Sequence, residues 1–74
     1  MASKSKKKIS TIGQNIKKYR QEKGLSQDGL SKSAGVAYNT VIKIESGNIQ
    51  SPTVGTASKI AKALGVSVDV LLGN

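Results

Sequence analysis

Asn39 and Lys43 stand one helical turn apart and are the pair in this chain best equipped to read a nucleobase. An asparagine amide gives and accepts a hydrogen bond side by side, so it can pair bidentately with adenine, whereas a lysine ammonium can donate to guanine or to a phosphate. Tyr38 and Ile42 each precede one of them and offer apolar surface to thymine methyl groups. At about 100° per residue, Tyr38, Ile42, Ser46, Asn39 and Lys43 fall within an arc of about 140°, with Val41 and Ile44 on the opposite side. Such a helix has one face for a core and another free to meet DNA. The plainer readings are a solvated surface for Asn39 and Lys43, and for Ile42 a side chain tucked against a neighbouring helix.

Other chemistries are poorly supplied. Serines are plentiful, but there is no histidine or cysteine, and the acids Glu22, Asp28, Glu45 and Asp69 are scattered. A nucleophile would lack its base and a metal its ligands, so neither enzyme activity nor a cofactor or metal is expected. The chain carries 12 Lys and Arg against 4 Asp and Glu, a net charge of +8. The excess is concentrated at the front, where Lys4, Lys6, Lys7, Lys8, Lys17, Lys18, Arg20 and Lys23 face Glu22 alone. A field of this kind attracts a polyanion, either nucleic acid or an anionic membrane surface; the bland alternative is a solubilising coat. With no Phe or Trp, large aromatic platforms for single-stranded bases are missing. No apolar run follows the N-terminal lysines and no stretch approaches about 20 apolar residues, so neither a signal peptide nor a membrane span is expected. A soluble protein of a reducing cytoplasm fits this composition.

The elements that must carry these side chains can be read from capping residues and apolar spacing. Residues 1–8, MASKSKKK, have like charges and no periodicity, which predicts a flexible basic arm over 1–10 and a single domain over 11–74. Thr11 and Gln14 have capping-box spacing, and Ile12, Ile16 and Tyr19 follow on one face until Gly24 ends a first helix. Ser26 caps a second helix that runs through Leu30 to Ala34 and stops at Gly35. A third helix fits 38–46, closed by Gly47. The connection between these two is too short for an antiparallel pair, so they must cross steeply, as in a helix-turn-helix. After the loop GNIQSP, Thr53 caps a fourth helix with Val54, Ala57, Ile60, Ala61 and Leu64 on one stripe up to Gly65. Ser67 caps a short fifth helix, with Val66 placed to staple onto Leu71. The expectation is an all-α, compact five-helix domain with no room for a sheet.

The run LSQDGLSKSAGVAYNTVIKIESGNIQSP followed by IAKALGVSVDVLL resembles the Cro and phage-repressor type of helix-turn-helix, the Xre family, over residues 12–72. This resemblance implies a lambda-repressor-like DNA-binding fold with the third helix in the major groove. It implies that Gln27, at the start of the second helix, touches a backbone phosphate, with Thr40, Asn48 and Gln50 as further phosphate contacts that set register without reading sequence. The lysines of the arm resemble those of repressor arms that reach around the duplex; a solubility tail is the alternative. Arg20 and Glu45 match positions that form a structural ion pair between the third and first helices. Three departures stand out: Ala37 where a capping Ser or Thr is usual, Gly29 where a helix former is usual, and Gly55 with Ala57 at the start of the fourth helix.

What the resemblance implies functionally is a sequence-specific double-stranded DNA-binding regulator of transcription, a repressor that occupies an operator as a homodimer. Val66, Val68, Leu71 and Leu72, with Val70, form an apolar C-terminal set that could join two copies, as reading two half-sites one turn apart requires. The same set could instead bind another protein, making the chain an antitoxin-like or controller-type interaction module. Whether the sequence is a whole Cro-like protein or the DNA-binding half of a larger repressor stays open at this level.

Overall fold

The structure, a computed structural model, describes residues 11–73. Five helices occur in the order α1 (Thr11–Glu22), α2 (Gln27–Ala34), α3 (Tyr38–Ser46), α4 (Val54–Leu64) and α5 (Val68–Leu71), with no strand among the described residues. This is the all-α, five-helix arrangement expected. Thr11 departs from its expected role: it already lies within α1 and so does not cap it. The predicted caps at Ser26, Thr53 and Ser67 are all made, their hydroxyl oxygens accepting from the backbone N–H of Gly29, Thr56 and Val70 at 2.9, 3.1 and 3.2 Å. Ala37 precedes α3 without any side-chain cap.

The steep turn between α2 and α3 depends on Gly35, whose φ of 70° is a left-handed conformation that a side chain would strain. From it the N–H of Val36 donates back to the Ser31 carbonyl at 3.0 Å, closing α2 and releasing the chain into α3 with only residues 35–37 between the two helices. Gly29 has a different reason to be small. A Cβ there would stand 3.2 Å from the capping oxygen of Ser26 and 3.6 Å from Leu25, so the helix former usual at this position would crowd the cap.

The core draws on every helix: Ile12 and Ile16 from α1, Leu30 from α2, Val41 and Ile44 from α3, Ala57, Ile60, Ala61 and Leu64 from α4, and Leu71 from α5. All are aliphatic, as the near absence of aromatics requires. α3 packs against both α1 and α2, α2 packs on α4, and α5 closes the end of the bundle against α1 and α4. The position of α5 corrects one expectation. Leu71 is not available to a second copy, because it is fully buried in the core of its own chain. Val66 and Val68 are half-buried and packed against that core, and Leu72, at 47% exposure, is the fully outward member of the set. Asn15 fixes this arrangement from α1: its amide donates to the Leu71 carbonyl at 3.0 Å and lies 3.4 Å from that of Val70.

Candidate nucleic-acid interface

α3 divides its residues as the sequence pattern requires. Val41 and Ile44 are fully buried, while Tyr38, Asn39, Lys43 and Ser46 are on the outward side, Tyr38 at 46% exposure. Ile42 is half-buried and lines a groove with Lys17, Arg20, Gln27, Glu45 and Ser46. It leans towards α1 and α2 while keeping part of its surface on the outward arc. Thr40 is half-buried, and Asn48 and Gln50 lie in the loop that follows. This loop is more than a polar linker. The N–H of Ile49 donates to the Lys43 carbonyl at 3.0 Å, and the Ile49 side chain packs on the core, anchoring the segment that displays Asn48 and Gln50. The expected arm lysines, Lys4, Lys6, Lys7 and Lys8, lie outside the described residues.

The orientation of α3 is fixed by a polar cluster built on Arg20 and Glu45. Arg20 donates from Nε to Glu45 Oε2 at 2.7 Å and from a terminal nitrogen to Oε1 at 3.0 Å, a bidentate pair. Its other terminal nitrogen donates to the Leu25 carbonyl at 2.7 Å, so one guanidinium ties α1 to α3 and to the connection before α2. The two side chains are 11% and 4% exposed, and no buried side-chain polar atom among the described residues lacks a partner. Hydrogen bonding on this scale offsets the desolvation cost of placing a charged pair inside a small domain. Gln27 completes the cluster by donating to Glu45 Oε1 at 3.1 Å. Expected as a phosphate contact, Gln27 is an internal brace in the free domain, with its carbonyl oxygen and a second amide hydrogen unpaired among the described residues.

Sequence reasoning missed three of these features. The Gln27 bond to Glu45 spans 18 residues and the Asn15 bonds to α5 span 55 and 56, and neither has a local spacing signature. Ile49 was hidden by its neighbours, since a single apolar residue within GNIQSP reads as part of a loop. No helix among the described residues is long and apolar enough to cross a membrane.

Known proteins share both this sequence pattern and this arrangement. A family model described as helix-turn-helix matches residues 16–71. The HTH-type transcriptional regulator SinR of Bacillus subtilis is 43% identical over 61 residues, which cover 82% of this chain and 55% of that protein. The chain thus spans about half the length of this curated relative. A crystal structure of SinR, the master regulator for biofilm formation, in complex with DNA superposes with a TM-score of 0.80 at 43% identity, covering 82% of this chain and 97% of that one. The restriction-modification controller protein C.AhdI from Aeromonas hydrophila superposes with a TM-score of 0.78 at 28% identity, covering 85% of this chain and 94% of that one. By the extent of the family match, by this identity and by its five-helix arrangement, the chain belongs to the helix-turn-helix family of the Cro and phage-repressor type.

Proposed function

We propose that the chain is a sequence-specific double-stranded DNA-binding regulator of transcription that enters the major groove with α3 and acts by occupying promoter DNA as a dimer. The observation that carries this reading is the division of α3 into a buried side, Val41 and Ile44, and an outward side of base-reading chemistry, Tyr38, Asn39 and Lys43. The DNA complex of its relative SinR supports it. In this reading Asn39 and Lys43, with Tyr38 and Ile42, contact bases; Gln27, Thr40, Asn48 and Gln50 contact phosphates; and the lysines within residues 1–10 add sequence-independent attraction for the duplex. Leu72, with Val66 and Val68 beside it, is the candidate dimer face. The site of action is the cytoplasm, on the nucleoid, and the activity is binding without chemical conversion.

Selection from a randomised duplex library at physiological salt tests the proposal, with the chain compared against its Asn39→Ala form. An enriched palindrome that changes with the substitution is the expected outcome. Retention without enrichment, abolished by salt, would reduce the chain to a nonspecific DNA coater. No retention at all would reject the reading in favour of a protein-interaction module.

A further inference from the structure

The groove bounded by α1, α2 and α3 contains a cation whose charge no other described residue uses. It has a volume of about 360 Å³ and is lined by Lys17, Arg20, Gln27, Ile42, Glu45 and Ser46. Glu45 is its one acid, and it is already engaged: Oε1 and Oε2 accept three hydrogen bonds from Arg20 and Gln27, and the side chain is only 4% exposed. A carboxylate has about four lone-pair sites, so little of Glu45 remains for a further donor. Ser46 is occupied too, its hydroxyl donating to the Lys43 carbonyl at 3.1 Å. Lys17 is exposed and has no hydrogen bond or ion pair among the described residues. Lys18, by contrast, lies 5.2 Å from the centre of the Tyr19 ring, and Lys32 pairs with Asp28 at 3.2 Å, so these two cations are engaged where Lys17 is not. With Arg20 and Glu45 cancelling, the groove carries one net positive charge, that of Lys17.

The location of this charge identifies its partner. Ile42 and Ser46 belong to the outward arc of α3, so the groove opens on the side that the proposed function turns towards DNA. The repeated anion on that side of a duplex is the backbone phosphate. We propose that Lys17, on α1, contacts a DNA backbone phosphate at the mouth of this groove, beside Gln27, and so sets how α1 rests on the duplex while α3 reads bases. The inference rests on the reading of the chain as a DNA-binding protein. A contact of this kind carries no sequence information; it adds affinity and register.

The salt dependence of binding isolates it. Affinity of the full chain for the duplex enriched by selection, and for an unrelated duplex, is measured between roughly 50 and 200 mM salt with Lys17→Ala, Lys17→Arg and Lys62→Ala. Lys62 lies in the last turn of α4 outside the groove and controls for the loss of one unit of net charge. Leaving one phosphate without its cation reduces the slope of log affinity against log salt by about 0.9, which over this fourfold range changes the ratio of wild-type to variant affinity about 3.5-fold. That change is expected for Lys17→Ala on both duplexes alike, with Lys17→Arg and Lys62→Ala keeping the wild-type slope. An unchanged slope for Lys17→Ala, or an equal loss for Lys62→Ala, would overturn the assignment of Lys17. Failure of the wild-type chain to bind any duplex would instead reject the reading on which it rests.

Discussion

Glu45 anchors the polar cluster, because three hydrogen bonds from two helices end on its carboxylate. Removing it as Glu45→Ala leaves the Arg20 guanidinium with most of its charge uncompensated at low exposure, a loss of about 3–5 kcal/mol for a buried pair broken on one side. Unfolding in urea would measure this, and an unchanged midpoint would mean that the pair contributes little to the fold. Replacing both partners together, Arg20→Met with Glu45→Leu, is expected to recover much of the loss, since no charge is then stranded, although the Leu25 carbonyl gives up its donor. Side chains on the outward face answer to a different measurement. Asn39→Ala and Lys43→Ala should leave the unfolding midpoint unchanged, because both lie on the outward side of α3, while costing about 1–3 kcal/mol of discrimination at the base pair each contacts. Binding to a panel of singly altered duplexes checks this: an equal loss on every duplex would reassign the residue to a phosphate.

Helix boundaries were the most legible part of this molecule, because Ser26, Thr53 and Ser67 announce their helices through local chemistry and each makes the bond its type suggests. The first helix was less so: Thr11 has a capping residue's type and spacing, but it lies inside α1, and type alone does not locate the first turn. The α3 pattern was legible for the same reason as the caps, since buried and outward positions follow the helical period. What resisted reading were contacts across the fold. Leu71 looked like one of a run of apolar residues free to meet a second copy, and only the packing of a four-residue α5 against α1 and α4 shows that it is spent on the core. The amide of Asn15, which holds α5 in that place, has no neighbour in sequence to explain it. The uncapped start of α3 gives this scale its prediction. Ala37 has φ −59° and ψ 141°, near the φ −63° and ψ 158° of the capping Thr53, so Ala37→Ser should supply a side-chain acceptor with little movement of the chain. The expected gain is about 1 kcal/mol, a rise in melting temperature of roughly 4–8 °C for a domain of this size. A thermal melt that is unchanged or lower would show that the Thr40 N–H, which already donates to the Ala37 carbonyl at 3.0 Å, gains nothing from a second acceptor.

At the scale of the whole molecule the question is how the charge of the N-terminal segment cooperates with the surface of the folded domain. Of 12 basic residues in the chain, Lys4, Lys6, Lys7 and Lys8 precede the first described residue, and they come just before α1, the helix that carries Lys17 to the groove. If this segment follows the duplex, it extends the contact begun by α1 along the phosphate backbone, and its contribution should be electrostatic and indifferent to sequence. Deleting residues 1–8 should then weaken binding to the selected operator and to unrelated duplex by similar factors. The salt slope should flatten by about 0.9 for each phosphate the segment had neutralised, up to about 3.6 for four lysines. The Asn39→Ala change should be additive with this deletion, since one alters preference and the other alters attraction and they share no partner. Discrimination between operator and unrelated duplex should accordingly survive the deletion even as overall affinity falls. An unchanged slope would reduce the segment to a solubility tail and leave Lys17 and the loop after α3 to supply the phosphate contacts. A selective loss on the operator alone would mean that the segment reads sequence itself, by reaching into a groove and not along the backbone.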